Sequence, residues 1–226
     1  MRDALPAPRP VLVAFCVVAV LNLVAVTAGV TWLELVTKPF LCGLLLLWVW
    51  LACDRHPPGL LMAGLGAALA GDELLGPSGS AWFVAGMGAF LVMQVCYITG
   101  FVRMGAFAAL RERRWVPAAW ALLWLVLNVV LGPSLGALQV PIAVYSAALT
   151  TMAACAVATG HRRIGVGGVL FLVSDLLIGL GAADLDVPAS GFLVMSTYAL
   201  AQLLIVTGWV LAVRAGAVER AGVSAR

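Results

Sequence analysis

Charge is what this sequence has least of. Only 10% of its 226 residues are Asp, Glu, Lys or Arg, against 64% hydrophobic, and the mean hydropathy is +1.10. A soluble domain carries about 25% charged residues, so a soluble globular fold is excluded. A disordered chain is excluded too, because it needs polar residues to stay solvated. Histidine occurs twice, and neither His56 nor His161 has a partner at metal-ligand spacing, so no cofactor is expected. The five cysteines (Cys16, Cys42, Cys53, Cys96, Cys155) are odd in number and form no CxxC, which argues against a disulfide framework or a zinc site; they read as small buried apolar residues. The first apolar run, about 11–30, is too long for a signal-peptide core and lacks a small-residue cleavage site, so it reads as a retained helix.

Apolar runs fill the rest. Eight candidate helices span about 11–30, 34–53, 59–76, 81–104, 115–132, 137–159, 164–183 and 190–213, each close to the roughly 20 residues that cross a bilayer. Gly-Pro pairs and short polar tracts separate them, at His56 to Gly59, Gly76 to Gly79, Gly132-Pro133 and Asp184 to Pro188. With eight spans, twelve of the thirteen basic residues fall on one side, in the termini and the loops at Arg55, Arg103 to Arg114 and Arg162-Arg163; Lys38 is the exception. The opposite loops carry Glu34, Asp184 and Asp186 and no arginine. The positive-inside rule then puts both termini in the cytoplasm. The net charge of +3 therefore orients the protein against anionic lipid and implies no nucleic-acid partner.

The two halves echo each other. Asn22 answers Asn128, Lys38-Pro39 answers Val140-Pro141, Gly71-Asp72 answers Ser174-Asp175, and Gln94 and Tyr97 loosely answer Tyr198 and Gln202, at offsets of 102 to 106 residues for the first three pairs. Four helices per half give both repeats one orientation, related by a pseudo-two-fold axis along the membrane normal. The expected fold is an all-α integral membrane protein: one transmembrane domain over 1–226, eight helices in two four-helix parallel repeats (about 11–104 and 115–213), in the cell membrane.

A charge deep in a bilayer costs roughly 2.5–3.5 kcal/mol on insertion scales and normally faces the bundle interior. On this topology Lys38 lies about one turn below the outer boundary, with Asp72, Asn128 and Tyr145 within two turns of it. Asp175 and Tyr198 lie slightly deeper, and Gln202, Gln94 and Tyr97 deeper again. Tyr198 and Gln202, at i and i+4, share a helix face and can line one cavity. Paired features near the pseudo-axis can meet, which makes Asp72 and Asp175 a candidate pair of facing carboxylates. Plainer roles stay open. Lys38 could snorkel and pair with Glu34, Asp72 with Glu73 could end a helix near water, and Asp175 could pair with Lys38 or bond to tyrosines. Asn22 and Asn128 read as interhelical hydrogen-bond partners, the tryptophans as interface belts, and Gly64, Gly66, Gly165 and Gly168 as packing residues.

The ordered set Thr37-Lys38-Pro39, Gly71-Asp72, Gln94 to Tyr97, Pro141 to Tyr145, Phe171 to Asp175 and Tyr198 to Gln202 resembles the lysoplasmalogenase (YhhN-like) family of polytopic membrane proteins, over about residues 30–210. Glu73, where the family has an apolar residue, and Gln94, where histidine is common, depart from the pattern. The resemblance implies a hydrolase that cleaves the vinyl ether bond of a lysophospholipid, releasing a fatty aldehyde and a glycerophospho-headgroup. Enol ethers hydrolyse by protonation at carbon and capture of the oxocarbenium ion by water. That chemistry needs one protonated and one ionised carboxyl, and two carboxyls sharing a low-dielectric pocket cannot both ionise cheaply. On this reading Asp72 and Asp175 are catalytic, and Lys38, Tyr97, Asn128, Tyr145, Tyr198 and Gln202 bind or position substrate. A small-molecule or ion transporter with a midplane polar site is the alternative, and a homo-oligomer stays open.

Overall fold

Apolar side chains run almost unbroken along each segment, and the backbone answers by satisfying its own hydrogen bonds in helices, as it must in lipid. The computed structural model describes residues 8–76 and 79–224, with side chains through 216. Arg2, Arg226, Pro77 and Ser78 lie outside the described residues, as does the Arg220 side chain. Among the described residues nine α-helices follow in order: α1 (Arg9–Ala28), α2 (Thr31–Ala52), α3 (Gly59–Leu74), α4 (Ser80–Arg103), α5 (Ala106–Glu112), α6 (Trp115–Leu131), α7 (Gln139–Ala158), α8 (Arg162–Ala182) and α9 (Ser190–Ser224). Two 3-10 turns, Gly132–Ser134 and Gly136–Leu138, join α6 to α7, and no strand occurs among the described residues.

Among the described residues seven helical segments are long and apolar enough to cross a membrane: α1, α2, α4, α8, the α9 segment Ser190–Gly216, and α6 and α7 extended to Trp115–Ser134 and Gly136–Ala158. The protein is thus a multi-pass helical membrane protein. The expected count of eight is not reached by this measure. At 16 residues α3 rises about 24 Å, short of the roughly 30 Å hydrocarbon core. The short helix α5 occupies a stretch that the sequence reading left as loop.

Six helices close a ring. In order α2, α3, α4, α7, α8 and α9, each packs on the next, and α9 returns to α2. Outside the ring, α1 lies on α2 and α9, and α6 lies on α7. The outer helices show their apolar faces outward: Val13, Val17, Val20 and Val24 of α1 and Val126, Val129 and Val130 of α6 are exposed. Such an apolar surface suits lipid and would aggregate in water. Small residues let the ring tighten. A Cβ on Gly64 would sit 2.5 Å from the Tyr97 ring, and one on Gly168 would sit 2.5 Å from the Ala156 methyl. Gly66, by contrast, faces open space.

Three expectations change here. The helix α2 begins at Thr31, so Pro39 lies inside it rather than at its start, and Lys38 sits about two turns, or 10 Å, along the axis. Proline removes one backbone bond there. Trp32, Trp82 and Trp115 are exposed near helix ends, but the belt reading fails for Trp48, 0% exposed, and Trp209, 3% exposed, which pack in the core. Trp209 lies 5.8 Å from the Tyr97 ring and 5.3 Å from Phe101. Cys16 is exposed rather than buried.

Candidate active site

The site begins with two small residues that let neighbouring helices press close. Gly71, before Asp72 on α3, faces Phe90 of α4, whose ring would lie 2.7 Å from an added Cβ. Ser174, before Asp175 on α8, donates from Oγ to the Val194 carbonyl of α9 at 3.0 Å. Each contact fixes the rotation of its helix and turns the following aspartate inward. Both aspartates then line one cavity of about 120 Å³, together with Lys38, Asn128, Tyr145 and Tyr198. Its walls are otherwise mostly apolar, from Phe83, Met87, Phe90, Leu127 and Ile142 among others.

Each carboxylate has its own phenol. The Tyr198 hydroxyl donates to Asp72 Oδ2 at 2.6 Å, and the Tyr145 hydroxyl donates to Asp175 Oδ2. The Tyr198 ring is held edge-on by Phe90 at 6.0 Å and Phe171 at 5.7 Å between centroids, an arrangement favoured by the ring quadrupoles. Asp72 is 3% exposed, whereas Asp175 is half-buried in the cavity wall. Asn128 donates to the Trp124 carbonyl at 2.9 Å and to Ser146 Oγ of α7 at 3.1 Å. Asn22, away from the cavity, donates to Thr37 Oγ1 at 2.9 Å and so ties α1 to α2.

Lys38 lines the cavity, yet among the described residues it makes neither the ion pair with Glu34 nor the one with Asp175 that the sequence left open. Tyr97 and Gln202 do not line the cavity. The Tyr97 hydroxyl donates to Gln202 Oε1 at 2.9 Å, and Gln202 Nε2 reaches Met93 Sδ at 3.5 Å, in a closed polar pair. The expectation that Tyr198 and Gln202 share a cavity therefore fails. One helical turn is enough to carry Gln202 out of the wall and into the bundle interior, where it meets Tyr97 and Met93 of α4.

Cys42 was missed. Read from sequence as a buried apolar residue, its thiol donates to Asp72 Oδ2 at 3.7 Å and lies 3.3 Å from the Tyr198 hydroxyl. The repeat carried the signal, since Cys42 precedes Tyr145 by the same 103 residues that separate Asp72 from Asp175. Gln94, 0% exposed, faces the Tyr145 hydroxyl but closes no hydrogen bond of ordinary geometry through either amide atom. No three His, Cys, Asp or Glu side chains converge as metal ligands among the described residues. Two carboxyls and two phenols on one apolar cavity are equipped for proton transfer.

The same residues lie within the stretch that known proteins share. The YhhN family profile matches residues 33–209. The chain belongs to the YhhN family. Relatives of this YhhN-family protein include the proteins named lysoplasmalogenase from Mycobacterium bovis and Mycobacterium tuberculosis, each 34% identical over 174 residues, which is 70% of this chain and 64% of the relative. The match thus spans under two thirds of the length of these relatives. No solved structure matches the chain.

Proposed function

We propose that this YhhN-family protein hydrolyses the vinyl ether bond of lysoplasmalogens, or of a related ether lysolipid, to a fatty aldehyde and a glycerophospho-headgroup. The observation that carries the reading is the meeting of Asp72 and Asp175, 103 residues apart, on one mostly apolar cavity inside a helical membrane protein. The name of its relatives, lysoplasmalogenase, supports the substrate class. An amphiphile suits such a cavity: the apolar walls take the chain, and the carboxyls meet the polar bond where chain joins glycerol. On this reading Lys38, which lines the cavity and has no ion-pair partner among the described residues, meets the phosphate. Asn128, Tyr145 and Tyr198 position substrate and carboxyls, while the Tyr97–Gln202 pair supports the wall from outside.

The architecture proposed with this function is a duplicated four-helix unit with α3 as an eighth, shorter span, both termini cytoplasmic, in the cell membrane. The ring supports the duplication, because the α4–α7 and α9–α2 contacts are equivalent under a shift of one repeat. Phe90 against Gly71 and Val194 against Ser174 are equivalent in the same way. A polar cavity between repeated halves also suits a transporter; flux of a solute into sealed vesicles without aldehyde release would favour that alternative.

The test uses the purified full chain and a synthetic lysoplasmalogen, with aldehyde release measured. Asp72→Asn and Asp175→Asn each lower the rate by about 10²–10⁴-fold, the usual worth of a general acid or base, while gel-filtration and thermal unfolding profiles stay unchanged. Two folded, fully active variants refute the carboxylate mechanism.

A further inference from the structure

The two aspartates occupy equivalent places, but their surroundings differ, and the difference divides the labour between them. Two donors converge on Asp72 Oδ2, the Tyr198 hydroxyl at 2.6 Å and the Cys42 thiol at 3.7 Å. Lys38 lies about one turn before Cys42 on α2, the helix that packs on α3, and so on the Asp72 side of the cavity. Asp175 has one donor, the Tyr145 hydroxyl. In the repeat Gln94 stands where Tyr198 does, and it gives Asp175 no hydrogen bond. Donors and cations stabilise a carboxylate more than a carboxylic acid. With one proton between two carboxyls in a low-dielectric cavity, the better-served group holds the charge and the other holds the proton.

Substrate geometry agrees with this placement of Lys38. In an alkenyl lysolipid the glycerol oxygen is bonded to Cα, Cα is doubly bonded to Cβ, and the alkyl chain continues from Cβ. A second cavity of about 600 Å³ meets the first at Lys38, Leu75, Phe83, Ile178, Val194 and Met195. With polar side chains from Glu34, Asp184 and Asp186, it has room for a headgroup. A phosphate at Lys38 sets the glycerol end of the substrate on the Asp72 side. Cα, one bond nearer the glycerol, then faces Asp72, and Cβ faces Asp175.

We infer that Asp175 is the acid that protonates Cβ and that Asp72 is the carboxylate that faces the cation and takes a proton from the attacking water. The assignment rests on the vinyl ether hydrolase reading. The alkene π electrons form the new Cβ–H bond with the Asp175 proton, leaving Asp175 ionised and a Cα=O⁺ oxocarbenium ion. Water adds to Cα as Asp72 removes its proton, giving the hemiacetal. Asp72 then protonates the glycerol oxygen as the Cα–O bond breaks, and the hemiacetal hydroxyl returns its proton to Asp175. Both carboxyls are restored, and one water has been consumed per ether cleaved. The charged and titratable groups around the pair are Lys38 and Cys42 from α2, Glu73 from α3, Tyr145 from α7 and Tyr198 from α9.

The experiment is anion rescue in purified Asp72→Ala and Asp175→Ala. Azide fits the space left by a deleted carboxylate and captures an oxocarbenium ion at Cα, giving an azido ether seen by mass spectrometry. Azide is expected to raise substrate turnover by Asp72→Ala roughly tenfold or more, within the worth of the missing group, with the adduct as product, and to leave Asp175→Ala unchanged. Rescue of Asp175→Ala alone, or of neither, overturns the assignment while leaving the carboxylate pair standing. Full activity of both variants without azide refutes the pair and the assignment together. If the alanine variants do not fold, the single-hydroxyl variants decide. Tyr198→Phe is expected to move only the acidic limb of the pH–rate profile and Tyr145→Phe only the alkaline limb; the reverse pattern overturns the assignment.

Discussion

The buried pair Tyr97–Gln202 separates support from catalysis. Tyr97→Phe keeps the ring in place against Phe101 at 6.1 Å and Trp209 at 5.8 Å, so apolar packing survives and one hydroxyl is lost. Gln202 Oε1, 2.9 Å from that hydroxyl, is then buried without a donor, which costs about 1–3 kcal/mol. For a chain of this size the unfolding midpoint should fall by roughly 2–12 °C. Replacing both partners removes the orphaned acceptor. Tyr97→Phe combined with Gln202→Met, close to Gln202 in volume, should therefore recover much of the loss, although the Nε2 contact to Met93 at 3.5 Å goes as well. Thermal unfolding of purified protein, followed by tryptophan fluorescence because Trp209 lies against Tyr97, measures the shift. Aldehyde release by the single variant at a temperature below its transition should stay within about twofold of the parent, since less than 0.5 kcal/mol separates such rates. A tenfold or greater drop in kcat/KM with an unshifted midpoint would refute the reasoning and return Tyr97 and Gln202 to the substrate site.

Other outcomes follow from single contacts. Gly168→Ala places a methyl 2.5 Å from the Ala156 side chain and should destabilise the α7–α8 seam by about 1–3 kcal/mol, whereas Gly43→Ala, with nothing within 4 Å, should be neutral or slightly stabilising; unfolding midpoints of the two compare them directly. Asn22→Ala removes the Thr37 bond between α1 and α2 and should cost about 1 kcal/mol, read as a lowered midpoint with activity retained. Lys38→Met should raise KM for the lysolipid about tenfold, with Lys38→Arg restoring much of it, since either cation can face a phosphate; steady-state kinetics at fixed detergent tests this.

Much of the site was legible because a charge inside an apolar run is costly enough to be conspicuous. Asp72, Asp175 and Lys38 stood out on that ground alone, and all three line the cavity. The 103-residue offset joins Asp72 to Asp175 on sequence alone. Cys42 escaped because a thiol is as much at home in an apolar core as beside a carboxylate, and composition does not separate the two. Gln202 was misplaced because an i, i+4 relation to Tyr198 gives a shared face, while the width of that face and the rotation of the helix decide what each side chain meets. The span count differed at α3, where the turn ends an apolar run that hydropathy extends past Leu74.

The amino-acid order alone determined that this chain is a helical bundle built for lipid. Its scarcity of charge and the length of its apolar runs leave the backbone no other way to pair its polar groups. It also determined which residues are expensive to bury. Which of those residues meet was decided by tertiary structure, because helix rotation and close approach depend on small contacts such as Gly71 with Phe90 and Ser174 with the Val194 carbonyl. Those contacts turn two aspartates onto one cavity and give them unequal partners. Pattern along a chain cannot express that inequality, since it arises from side chains brought in from α2 and α7 across 30 residues and from α9 across 126.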